Sequence, residues 1–182
     1  SSSGNRALLA EVEQAEVSLT AEEGDLGRAL ELTLEFAKTA EETASGTALF
    51  VAANNLAHLF VAQARYAEAL PWITRGLEMQ QRRGGTDIAL RELLMQLHVS
   101  KGDFKEAASE AERITTLFQD SIDPGSFWGS WHVLTRVKWL FRTGKIDQGL
   151  NEALAAMRPA EPMPNRRLQE RLQLFVAEGL AR

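Results

Sequence analysis

Side chains able to do chemistry are few in this 182-residue sequence. There are three histidines, His58, His98 and His132, and no cysteine. The histidines are 40 and 34 residues apart, and none sits in a His-Glu-x-x-His helix that could hold zinc. Without cysteine there is neither a thiolate nucleophile nor a sulfur-based metal site. Gly144-Lys145-Ile146 has neither the upstream glycine nor the following Ser/Thr of a phosphate-cradling loop. Carboxylates such as Glu22-Glu23 and Glu41-Glu42 fall at helix ends, where they read as solvated charge. Nothing assembles a pocket of convergent titratable groups. The expectation is a non-enzyme, with no cofactor and no metal.

Two features suit binding better than catalysis. Phe127, Trp128, Trp131, Trp139 and Phe141 gather most of the tryptophans into one stretch, either as core or as an interface anchor. Trp128 and Trp139 read as wedges between helices. His58, close to Asn54 and Asn55, could hydrogen-bond a partner's backbone. By contrast, His98 takes an apolar position and reads as a half-buried residue, and His132 as inter-helix packing. Charge is divided. Residues 1–70 carry 11 acidic and 4 basic side chains (4 − 11 = −7), and residues 71–182 carry 14 and 16 (16 − 14 = +2). Only Arg166-Arg167…Arg171 clusters cations, so a sequence-independent grip on nucleic acid is not expected. No apolar run is long enough to span a bilayer. An absence of disulfides suits a reducing cytoplasm, and no membrane role is expected.

The elements that must position these residues are helices. Ala, Leu and Glu number 26, 25 and 19, and all three favour helix. Four segments align without gaps: Gly24–Leu30, Ala64–Leu70, Gly102–Ala108 and Gly144–Leu150, at spacings of 40, 38 and 42 residues. Each reads small, polar, large apolar, two mostly polar, small, apolar. The opening glycine (or Ala64) suits the left-handed backbone at a helix end. Asp25 and Asp103 can cap the next helix, with Glu106 at capping-box spacing from Asp103. Leu26, Tyr66, Phe104 and Ile146 plug the corner between paired helices. Ala29, Ala69, Ala107 and Gly149 let two helix backbones approach closely. The pattern predicts helices near 6–22, 26–44, 47–63, 66–82, 87–100, 104–118, 126–143, 146–157 and 165–181. Thr86 or Asp87 would cap the fifth, and Asn165 the ninth. Pro71 would be tolerated in a first turn and would kink the helix if deeper.

The stretch Asn54-Asn55-Leu56-Ala57-His58-Leu59 through Arg65-Tyr66-Ala67-Glu68-Ala69-Leu70-Pro71 resembles a tetratricopeptide repeat. Leu56, Ala57, Phe60, Ala64, Tyr66 and Ala69 carry the pattern. The third unit has Leu94, Met95, His98, Gly102, Phe104 and Ala107 in those places. The fourth has Arg136, Val137, Leu140, Gly144, Ile146 and Gly149. In the first unit, Glu16, Val17 and Thr20 depart from the pattern while Gly24, Leu26 and Ala29 fit. Units of about 38–42 residues exceed the usual 34 by about one helical turn; they resemble the longer repeats of bacterial signalling and transcription regulators.

The resemblance implies an all-α solenoid, a right-handed superhelix of four hairpins (about 6–45, 46–84, 86–120 and 126–158). A terminal helix at 165–181, apolar at Leu168, Leu172, Phe175 and Val176, would cap it. The chain reads as one domain, 1–182, cut from a larger protein. On the implied concave face lie Asn54, Asn55, His58, Glu92, Gln96, Trp131, Lys138 and Arg142, the candidate residues for a protein or peptide partner. The two-carboxylate clamp of chaperone-binding relatives is not matched. Only Asn55 fits it; Gln14, Ser18, Ala89 and Leu93 occupy other clamp places. The expectation is an interaction or sensor region of a cytoplasmic regulator. Alternatives are a structural or self-associating array and a small-effector sensor.

Overall fold

The computed structural model describes residues 24–85, 87–121, 127–157 and 166–180, and these are all-helical, with no strand. Eight helices follow in order: α1 (Leu26–Glu42), α2 (Gly46–Ala62), α3 (Tyr66–Arg82), α4 (Ile88–Lys101), α5 (Phe104–Ser121), α6 (Phe127–Arg142), α7 (Ile146–Ala156) and α8 (Arg166–Leu180). Their limits lie within three residues of those expected from the pattern. The helix expected at 6–22, the side chains of Trp128 and Leu168, and the capping roles of Thr86 and Asn165 fall outside what is described.

The turns repeat one device. At Ala44, Ala64, Gly84, Gly102 and Gly144 the backbone is left-handed, with φ between 51° and 86°. After α2, the Ala64 N–H donates to the Val61 carbonyl (3.0 Å) and the Arg65 N–H to the Phe60 carbonyl (2.8 Å). The same pair of bonds closes α1, α3, α4 and α6. This double bond satisfies carbonyls that a helix end would otherwise leave open. Capping is less uniform. Asp25 accepts from the Arg28 N–H (2.9 Å) and Asp87 from the Leu90 N–H (2.8 Å). Asp103 does not cap. Its N–H is anchored on the His98 carbonyl (2.9 Å), which brings its carboxylate to 3.6 Å from His98 Nδ1 and 3.9 Å from Lys101 Nζ. Pro71 is the sixth residue of α3, deeper than the first turn, and the helix nevertheless continues to Arg82.

Two compact units divide the chain, Ser1–Leu93 and Leu94–Arg182, with the boundary inside α4. In the first, α2 packs against both α1 and α3. A helix flanked twice needs apolar residues around most of its circumference, and α2 has Ala52, Ala53, Leu56, Ala57, Leu59 and Phe60 buried. The small residues expected at close approaches, Ala29 and Ala69, are fully buried, and a Cβ on Gly76 of α3 would collide with the Leu90 side chain. Polar ties reach across these helices. The Gln63 amide donates to the Leu26 carbonyl (3.1 Å), and the Arg75 guanidinium to Glu41 (2.6 Å).

The second unit has two apolar clusters. Met95 and Val99 of α4 pack with Ala107, Ala111 and Ile114 of α5, joined by Phe118 and Trp139. Leu134, Val137 and Phe141 of α6 pack with Ala153 of α7 and Leu172 of α8. Gly149 is needed where it stands, because an added Cβ would lie 2.5 Å from the Phe141 ring. Arg136 occupies the place held by Leu56 and Leu94 in the preceding units. It stays there by a bidentate pair with Glu152 of α7, at 3.0 and 2.6 Å. The corner residues Leu26, Tyr66, Phe104 and Ile146 are all half-buried.

Candidate functional site

The eight candidate residues separate into the two units. In the first, α2 carries Asn54, Asn55 and His58. An i, i+1, i+4 spacing keeps them on neighbouring parts of one face, and all three are half-buried. No donor among the described residues reaches the buried Asn54 Oδ1. Burial pushes the His58 imidazole down to about 4, because removing it from water disfavours the cation. At neutral pH His58 is therefore uncharged, one ring nitrogen being a donor and the other an acceptor. Glu92, on α4, is 1% exposed and presents no surface to a partner. Phase placed Glu92 among the partner-facing residues, but its helix neighbours Ala89, Leu90 and Leu93 are themselves buried, and Glu92 is carried inside with them.

In the second unit a groove of ≈ 280 Å³ lies between α4, α6 and α8. One wall is α6, with Trp131, Leu134, Thr135 and Lys138, spaced i, i+3, i+4, i+7 along a single stripe. The facing wall is α8, with Arg171, Leu174 and Phe175 at i, i+3, i+4, and Gln96 of α4 completes the lining. Three of the sequence-derived candidates, Gln96, Trp131 and Lys138, are thus brought together.

The groove's floor is apolar and its polar groups are unevenly committed. Leu134 is buried, and Phe175 meets Phe141 edge-to-face at 6.2 Å. Leu174 is 70% exposed. The Thr135 hydroxyl donates to the Trp131 carbonyl (3.3 Å). The Arg171 guanidinium lies 5.6 Å from the Trp131 ring centroid, within cation–π range. Among the described residues, neither Lys138 nor Arg171 forms an ion pair and no carboxylate lines the groove.

Arg142 lies on the same stripe as Trp131 but three turns further along. It does not join the groove. It donates to the Ser100 carbonyl (3.2 Å) and covers the Phe104 ring at 5.9 Å. The last-turn carbonyls of α4 lack helical partners and draw a cation. Of the other aromatics, Trp139 is half-buried beneath Lys145 (5.4 Å), and His132 packs on Phe118 (5.8 Å).

Sequence reasoning missed the α8 wall. It assigned Leu172, Phe175 and Val176 to a cap, and Leu172 is indeed fully buried with the other two against the α6–α7 core. The signal for Arg171, Leu174 and Phe175 was present as a second helical stripe on the same element. Among the described residues no group of three or more His, Asp or Glu side chains could hold a metal ion. No helix there is long and apolar enough to cross a membrane. The chain matches no protein-family model, and no curated protein matches it.

Proposed function

We propose that this chain is a non-catalytic interaction module of tetratricopeptide-like helical hairpins, which holds a protein or peptide segment on its concave face. The observation that carries the reading is the convergence of Gln96, Trp131 and Lys138 on one groove. These residues were picked out by repeat phase, without reference to a cavity. Further support comes from the identical left-handed closures of α2, α4 and α6, followed in each case by a buried small residue, Ala69, Ala107 or Gly149. Recognition would rely on a surface formed before the partner arrives, so little ordering entropy is lost on binding. Its setting, on the resemblance, is the interaction or sensor region of a cytoplasmic regulator, without direct contact to nucleic acid.

Neutral polar groups at Asn54, Asn55 and His58 suit hydrogen bonds to a partner's backbone, while Trp131 offers the aromatic area typical of interface hot spots. The test is peptide selection on the immobilised chain, repeated with Trp131→Ala and Asn55→Ala. Selected peptides should bind the parent and lose at least about tenfold in affinity on Trp131→Ala, the 1.4 kcal/mol level at which a contact counts as important. Unchanged binding by both variants would remove these faces from the reading.

A further inference from the structure

We propose that the groove between α4, α6 and α8 selects an acidic–apolar peptide segment, seating an aliphatic or aromatic side chain on Trp131, Leu134 and Leu174 with carboxylates directed at Lys138 and Arg171. This inference rests on the interaction-module reading and names the partner's chemistry for one of its surfaces.

Charge complementarity carries the argument. Among the described residues that line it, the groove has two cationic side chains and no anionic one. Neither cation is neutralised by a carboxylate among the described residues, although the whole chain has a net charge of −5. A positive groove on an acidic protein is a local departure that favours anionic ligands. Position adds detail. Arg171 is stacked on Trp131, and Lys138 lies seven residues further along α6, about 10 Å at 1.5 Å per residue. The cations therefore stand toward opposite ends of an apolar strip. About three residues of extended peptide span that distance, so two acidic side chains can flank an apolar one. Leu174, mostly exposed at the rim, has the character of a contact residue awaiting cover. The Arg171 guanidinium, 5.6 Å from the Trp131 ring centroid, can hold a carboxylate through its planar N–H fork.

The experiment is selection of random octapeptides, displayed on phage, against the full chain at low salt. The enriched pool should be rich in Asp or Glu together with Leu, Ile, Phe or Met. Affinity of a representative synthetic peptide should fall with rising salt, and by roughly tenfold on the double charge reversal Lys138→Glu/Arg171→Glu. Selection on that variant should invert the preference toward Lys and Arg, an outcome that misfolding cannot imitate. Circular dichroism would confirm that the substitutions at half-buried Lys138 and exposed Arg171 leave the helices intact. A neutral or basic pool that depends on Trp131 overturns this inference and leaves the interaction reading standing. No enriched pool at all overturns both. A concentration-dependent dimer in light scattering, abolished by Leu174→Ser, places a second copy in the groove and also overturns it.

Discussion

The two units solve the same packing problem with different materials. In the first, α2 is closed from both sides by aliphatic residues and alanines, and what remains on its face is neutral: Asn54, Asn55 and an uncharged His58. In the second, α6 meets α5, α7 and α8 through aromatic rings and paired or stacked charges. Arg136 binds Glu152, Arg171 covers Trp131, and Phe175 meets Phe141. Alanines let helices meet backbone to backbone. Aromatic rings and long cations fill space less completely, and a groove remains. The lesson is that departure from the residue pattern and an open groove occur together in the second unit.

Charging the close approaches breaks the comparison most severely. Ala69 and Ala107 hold corresponding places in the two units, and both are fully buried. Ala69→Arg and Ala107→Arg should each cost on the order of 3–5 kcal/mol, combining overpacking with an unpaired buried charge. Urea unfolding followed by circular dichroism measures this. Parent-like midpoints for both would remove the repeat register.

Acid separates the units next. Between about pH 6.5 and pH 4 the unfolded chain binds a proton at His58 that the folded chain refuses until about 4. Stability is complete above that window and declines as the pH falls through it. A half-buried imidazole warrants roughly 1–3 kcal/mol of loss, less than the full shift would give at about 1.4 kcal/mol per unit. His58→Gln should flatten the curve over this range when urea midpoints are compared at pH 7 and pH 4.5.

How much of this could be read from the sequence follows from which interactions are local. Helix limits and turns were legible because Gly102 or Gly144 ends a helix by its own backbone freedom, and Asp25 or Asp87 caps within three residues. The close-approach set was legible because repetition reveals it four times. Glu92 was not, since its burial depends on neighbours brought in by packing rather than on its own type. Asp103 was read as a cap, but the preceding turn delivers His98 to its carboxylate. The groove was half legible. Phase gave Gln96, Trp131 and Lys138, all on repeat helices, whereas Arg171, Leu174 and Phe175 belong to a helix outside the repeat, whose docking angle no periodicity encodes.

A smaller effect tests how the second unit tolerates Arg136. Where Leu56 is fully buried in the first unit, Arg136 leaves its bidentate pair with Glu152 partly exposed. Such pairs contribute modestly, with screening by solvent. A double-mutant cycle with Arg136→Ala and Glu152→Ala should give a coupling of about 1 kcal/mol that shrinks in high salt. Coupling near zero would mean that the aliphatic part of Arg136 alone fills the place of leucine.

The smallest effect is the sharpest, because it concerns backbone alone. Ala64 closes α2 at φ 57°, whereas Gly144 closes α6 at φ 78° with the same two hydrogen bonds. A Cβ added at Gly144 would meet nothing within 4 Å, so Gly144→Ala changes only conformational preference. In the left-handed region a Cβ costs about 1–2 kcal/mol, offset in part because alanine is less flexible than glycine when unfolded. Gly144→Ala should therefore lose about 0.5–1 kcal/mol. Ala64→Gly should gain a similar amount, in the opposite direction for the same reason. Thermal melts of the two variants against the parent decide it. Opposite shifts would establish that the two turns are the same object built from different residues, and shifts of equal sign would mean that one of them is held by contacts beyond its own backbone.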